Sequence, residues 1–398
     1  MKKTNIDIAQ IEHFLAQQGS FCLIDWLLKE NYLSYSHYEA WRYGKEVLLD
    51  HNLSIDDKEI NKIIKETKNA CKQLNLSSQQ QDYYTWSSSK NNKLTISRQQ
   101  TINTELGIQW LRPQDLPQLD LFMDNTEVIT ENRILDALGG RQFESAQKAL
   151  SQLTELNPNQ KKLGEYQDLI NYGLYISNNP TVEKTTLSEE LAGLENEVSP
   201  LAHTILKHNA RDYLAFAWRR LSNSLENQTF NQQQPKLHQS YMLMQIPDWQ
   251  GVLSSLADDK QLFTTAVLLH RLALAYEATK CDNEALLIWC LLMEMDRVYC
   301  ERIIEEQPTP LINPLWQDFW ETDDEEYDGE YLGFFPAFIF TKIPGLIHHL
   351  GNFPTLQQPA TLAVIEAIKI HQQQGDEVPI RKKMQDISPA LLKLFINR

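Results

Sequence analysis

Two alanines, Ala273 and Ala285, place the tightest constraint on what this chain can fold into. Tyr276 follows Ala273 by three residues, Trp289 follows Ala285 by four, and Leu292 comes three later. Both alanines lie in apolar stretches with helical spacing, at 261–279 and 282–305, and Asp282 or Asn283 is suited to cap the second. Antiparallel helices approach closely only where small side chains face each other, and large neighbours one turn away fill the space beside that contact. The spacing therefore predicts a helical hairpin over Leu269–Arg297.

The pattern recurs at Ile134–Gln160. There Arg141-Gln142-Phe143-Glu144-Ser145-Ala146 supplies a turn and the start of a second helix, Leu150 and Leu153 follow, and Asn157-Pro158-Asn159 closes the unit. Gly139-Gly140 reads as part of the turn, because Arg141 follows where a phosphate loop needs Lys-Ser or Lys-Thr. A poorer copy spans Ser240–Asp259, with Asp248-Trp249 at its turn and Val252 and Leu256 after it. These stretches resemble the tetratricopeptide repeat, with Ala146, Leu150, Pro158, Ala273, Tyr276, Ala285 and Trp289 at the pattern's positions. At the end of the best copy Arg297 stands in place of the usual proline. The resemblance implies stacked helical hairpins and a concave ligand face made by the first helix of each pair. Carried onto this sequence, that face includes Glu131, Leu135 and Leu138, and His270, Leu274, Glu277 and Ala278. An ordinary array of helix pairs meets the same packing constraint in the same way.

The expected class is all-α. Fourteen glycines in 398 residues suit helices and disfavour barrels and doubly wound sheets. A four-helix head is expected at 1–75, then a polar connection at 76–101, then a helical-repeat body at 102–398. In the connection, Tyr83-Tyr84-Thr85-Trp86 and Leu94-Thr95-Ile96 allow a small hairpin turning at Asn91-Asn92, and a flexible linker is the alternative. Helices are expected at 102–110, 199–224 and 282–305, among others, with no strand after residue 100.

The net charge is −16. A surface of that sign repels phosphate backbones and speaks against general nucleic-acid binding. A helix–turn–helix at 20–45 is the one arrangement that would bring DNA back into consideration. The five cysteines have no Cys-x-x-Cys spacing and read as free thiols of a cytoplasmic protein. No apolar run approaches the ~20 residues needed to cross a bilayer, so no membrane partner is expected. No motif requires a metal or a cofactor.

Two clusters carry possible chemistry. His203, His208, Arg211 and Asp212 could serve an enzyme built on a helical scaffold, although His203 and His208 lie too far apart around a helix to share a metal. Ten acids lie between Glu305 and Glu330, among them Asp323, Asp324, Glu325 and Glu326, and Trp316 and Trp320 precede them. That stretch is either a solvated loop or a docking surface for a basic partner. The leading expectation is a protein–protein adaptor, scaffold or chaperone-like component.

Overall fold

The computed structural model describes residues 6–86, 92–113, 125–321 and 331–396. The chain is mostly helical and divides into two compact units. The first comprises Met1–Gln228 and Lys236–Asp248, and the second Thr229–Pro235 and Trp249–Arg398. Residues 1–75, 76–101 and the opening of the expected body thus belong to one unit.

The first unit opens with α1 (Ile8–Gln18), capped by Asp7, whose carboxylate accepts from the Gln10 amide. Gly19 ends it in the left-handed conformation at φ 72°. The chain then enters a strand, β1 (Ser20–Cys22), before α2 (Leu23–Lys29) and α3 (Tyr35–Arg42). α4 (Asp57–Gln73) buries Ile60, Ile63 and Ile64, and β2 (Ser77–Gln80), α5 (Gln100–Leu106) and β3 (Ile108–Leu111) follow. The sheet has the order β1-β3-β2, antiparallel throughout. The strand at 108–111 corrects the expected helix over 102–110 and the expectation of no strand beyond 100. β3 is central and has a partner on each side, so pairing with distant residues decides its conformation.

The described residues of the 76–101 stretch are packed in place. The Thr85 amide donates to the Asn92 carbonyl at 3.0 Å and the Leu94 amide to the Tyr83 carbonyl at 2.8 Å, which pairs its two arms antiparallel. Tyr83, Thr85, Trp86 and Ile96 are buried. Asn91 lies outside the described residues. Within 20–45 the chain forms the strand at 20–22 and two short helices, α2 and α3, joined by 30–34, and α3 buries Tyr35, Tyr38, Trp41 and Arg42.

The rest of this unit is α6 (Asn125–Gly139), α7 (Phe143–Leu156), α8 (Leu163–Asn178), α9 (Leu187–Gly193), α10 (Ser199–Leu206), α11 (Ala210–Ser224) and α12 (Gln239–Gln245). α6 and α7 form the expected hairpin, with Ala146 and Leu150 buried and Pro158 exposed in the closing turn. α8 lies against α7, and Gly173 makes this possible: a Cβ there would fall 2.3 Å from the Phe143 ring. The helix expected over 199–224 is broken at Lys207, where φ is 51°.

The second unit begins with 229–235, held by Asp259 on the Phe230 amide at 3.1 Å and by Arg271 on the Pro235 carbonyl at 2.7 Å. Its helices are α13 (Trp249–Ala257), α14 (Ala266–Ala278), α15 (Asp282–Met295), α16 (Arg297–Glu306), α17 (Ile312–Glu321), α18 (Phe335–Lys342), α19 (Pro359–Gln372), α20 (Val378–Ile387) and α21 (Pro389–Ile396). α14 and α15 form the best-matched hairpin, in which Ala273 and Ala285 have no exposed surface and Trp289 donates to Glu277 Oε1 at 2.7 Å. Asp296 ends α15 and caps α16, so the long helix expected at 282–305 is two. The third repeat-like stretch is not a hairpin within either unit: α12 packs on α11 in the first and α13 on α14 in the second.

The two hairpin turns share one geometry. Gln142 donates its amide to the Ala137 carbonyl, and Cys281 to the Tyr276 carbonyl, each five residues back. In both, the residue before the donor is left-handed and carries a side chain: Arg141 at φ 57° and Lys280 at φ 62°. This is the Schellman closure, which usually places glycine there.

Candidate binding cleft

The first unit contains a cleft of about 870 Å³. The antiparallel register puts Ser20, Gln79, Gln109 and Leu111 on one face of the sheet, and all four line it. On α6 the lining residues Asn132, Leu135, Asp136 and Gly139 recur at i, i+3, i+4 and i+7. On α7 Ser145, Lys148, Ala149 and Gln152 do the same. Each helix therefore gives the cleft one continuous face. Gly139 lets α6 end against Asn209, since a Cβ there would lie 2.9 Å from the Asn209 side chain.

A buried ionic cluster borders the cleft at Arg42 and Asp212. Arg42 Nη1 donates to Asp212 Oδ2 at 2.5 Å and to the Tyr38 hydroxyl at 2.7 Å, and that hydroxyl donates to Asp212 Oδ2 at 2.7 Å. Arg211 holds Asp212 Oδ1 at 3.0 Å and Asp25 at 2.5 Å. Burial by itself would raise the Asp212 carboxyl, but the Arg211 and Arg42 guanidinium groups outweigh it and hold it below the ordinary aspartate range. Arg141 adds a bond to the Asp212 backbone carbonyl at 3.0 Å and covers the Trp86 ring at 3.5 Å.

Both carboxylate oxygens of Asp212 and the Arg211 guanidinium are thus engaged in internal pairs. His208 is half-buried beside them and burial pushes its imidazole down, against the pull of Asp25 and Asp212. His203 is exposed, and burial lowers it as well. The four residues do not form a nucleophile–base arrangement with a free carboxylate. Among the described residues no group of His, Cys, Asp and Glu is arranged to hold a metal. No described helix is long and apolar enough to cross a membrane.

Of the residues implied by the repeat resemblance, Glu131 and Leu135 line the cleft, while Leu138 has no exposed surface. In the second unit His270 is buried against Trp289 and shares its Nδ1 with the Tyr299 hydroxyl at 3.2 Å. Glu277 is half-buried and accepts from Trp289 and Thr309. Leu274 and Ala278 are half-buried. Trp316 is a core residue, its ring 4.8 Å from that of Phe335, whereas Trp320 is 43% exposed. Asp323, Asp324, Glu325 and Glu326 lie outside the described residues.

Searches of protein-family models, curated proteins and solved structures match nothing to this chain.

Proposed function

We propose that this protein is an interaction component, an adaptor or scaffold, whose first unit receives a segment of partner polypeptide in the cleft. One observation carries this reading. Glu131 and Leu135, on the helix face that tetratricopeptide proteins turn toward their ligands, line this cleft. The chemistry of the lining agrees. Gln18, Gln79, Gln109, Gln142, Gln152 and Asn132 bring side-chain amides around it. An amide both donates and accepts, as a peptide group does, so such a wall suits an extended backbone. Free cysteines fit a reducing, cytoplasmic setting.

The test is selection of a random peptide library of about twelve residues on the full chain, followed by titration of the enriched peptides. Ser145 is exposed and lines the cleft, so Ser145→Trp fills space without disturbing the core. Enriched peptides should bind the Ser145→Trp variant at least about tenfold more weakly, some 1.4 kcal/mol. Equal binding to both proteins, or no enrichment, overturns the reading.

A further inference from the structure

The unpaired charge of the cleft has the opposite sign to the chain. Arg133 on α6, Lys148 on α7, Lys162 just before α8 and Lys207 just before α11 all line it and are exposed. None of their side chains has an ion-pair or hydrogen-bond partner among the described residues. The acids of the lining are partly neutralised. Asp212 is held by Arg42 and Arg211, and Asp82 pairs with Lys93 at 2.8 Å, whereas Glu131 accepts from Gln160 and Tyr166, both neutral, and keeps its charge. Among the described residues Glu131 and Asp136 are left without an ion-pair partner. Among the described residues four unpaired cations thus stand against two unpaired carboxylates around the cleft, a positive balance in a chain of net charge −16.

We infer that the cleft selects an acidic, extended stretch of polypeptide. This rests on the polypeptide reading given above and adds the chemistry of the partner. Charge complementarity supplies the selection and the encounter rate, and the amides supply contacts to the backbone. A long nucleic acid carries charge well beyond the cleft and meets the acidic remainder of the surface. A small free anion leaves the amides without a role.

The experiment uses the full chain and three fluorescein-labelled probes of about twelve units, read by anisotropy. The first is a peptide rich in Glu and Asp, the second the same peptide with Gln and Asn in their place, and the third a deoxythymidine oligomer. The acidic peptide should bind at least about tenfold more tightly than either control and weaken as salt rises from about 50 to 200 mM. The triple variant Arg133→Gln, Lys148→Gln, Lys162→Gln alters exposed side chains only and should lose about tenfold or more for the acidic peptide, with an unchanged circular dichroism spectrum. Equal binding of the acidic and amide peptides, tightest binding of the oligomer, or an unaffected triple variant overturns the inference. If the amide peptide binds as well and Ser145→Trp abolishes both, acidic selection fails while the polypeptide reading stands. If neither peptide binds, both fail.

Discussion

The guanidinium of Arg141 lies 3.5 Å from the centre of the Trp86 ring. The same group donates from Nε to the Asp212 carbonyl at 3.0 Å and from Nη1 to the Tyr43 hydroxyl at 2.9 Å. A plane that stacks and donates along two directions at once is a property of arginine that lysine lacks. Arg141→Lys should therefore destabilise the first unit by about 1–3 kcal/mol. Urea unfolding followed by tryptophan fluorescence measures this, and a midpoint equal to the wild type would contradict it.

Gly173 and Phe143 pose a simpler steric question. A methyl group at 173 would sit inside the Phe143 ring, the nearest atom at 2.3 Å. Gly173→Ala should cost about 1–3 kcal/mol, although alanine ordinarily favours a helix. Adding Phe143→Leu should recover part of the loss, and a double-mutant cycle with no coupling would show that the two positions do not meet.

His270 gives the second unit a pH dependence. Burial, aided by the Arg271 charge, pushes its imidazole down to about 4, while in the unfolded chain it takes up a proton near 6.5. The unfolded state then binds the extra proton between those values, so stability is full above about 6.5 and is lost as pH falls toward 4. The loss should reach roughly 3 kcal/mol. In His270→Gln the difference in unfolding midpoint between pH 7 and pH 4.5 should shrink, and an undiminished difference would assign the effect elsewhere.

The left-handed residue at the 278–282 turn offers a gain. Lys280 holds φ at 62°, a conformation that glycine adopts without the steric cost borne by a side chain. Lys280→Gly is expected to raise stability by about 0.5–1 kcal/mol, with Lys280→Ala as the neutral comparison. A thermal midpoint for Lys280→Gly at or below that of the alanine variant would refute this.

Thiol reactivity should separate one cysteine from four. Cys22 and Cys71 are buried, and loss of solvent pushes both thiols up to about 12. Cys290 and Cys300 are buried and raised as well, and Cys281 alone is half-exposed. At pH 8 a disulfide reagent should titrate about one thiol quickly and the other four only in denaturant. Rapid reaction of two or more would mean that the native core opens readily.

The hairpins were legible because their information is local. Ala273, Tyr276, Ala285 and Trp289 fall within one helix pair, and the 3.6-residue period places them without reference to the rest of the chain. The sheet was not legible, for the opposite reason. Ser77-Ser78-Gln79-Gln80 contains no strand-forming side chain, and β3 is a strand because Ser20–Cys22 and Ser77–Gln80 flank it. The cleft was half visible. Glu131 and Leu135 came from the repeat pattern, while Arg133, Lys148, Lys162 and Lys207 have no spacing that identifies them as a group. The i, i+3, i+4, i+7 recurrence on α7 contains Lys148 and was the signal that could have located it, whereas Arg133 lies off the recurrence on α6. Asp212 was singled out for chemistry, yet the partners that occupy it, Arg42 and Tyr38, come from the far end of the sequence.

That separation has a consequence for how the molecule is made. Arg42 and Asp212 are 170 positions apart. At about 5–20 residues per second, the ribosome needs roughly ten to thirty seconds to synthesise what lies between them. Through that interval the growing N-terminal segment holds a cation whose counter-ion does not yet exist. A nascent chain arrested before position 212 should accordingly be open to protease along its first helices, and release of a few dozen more residues should close them.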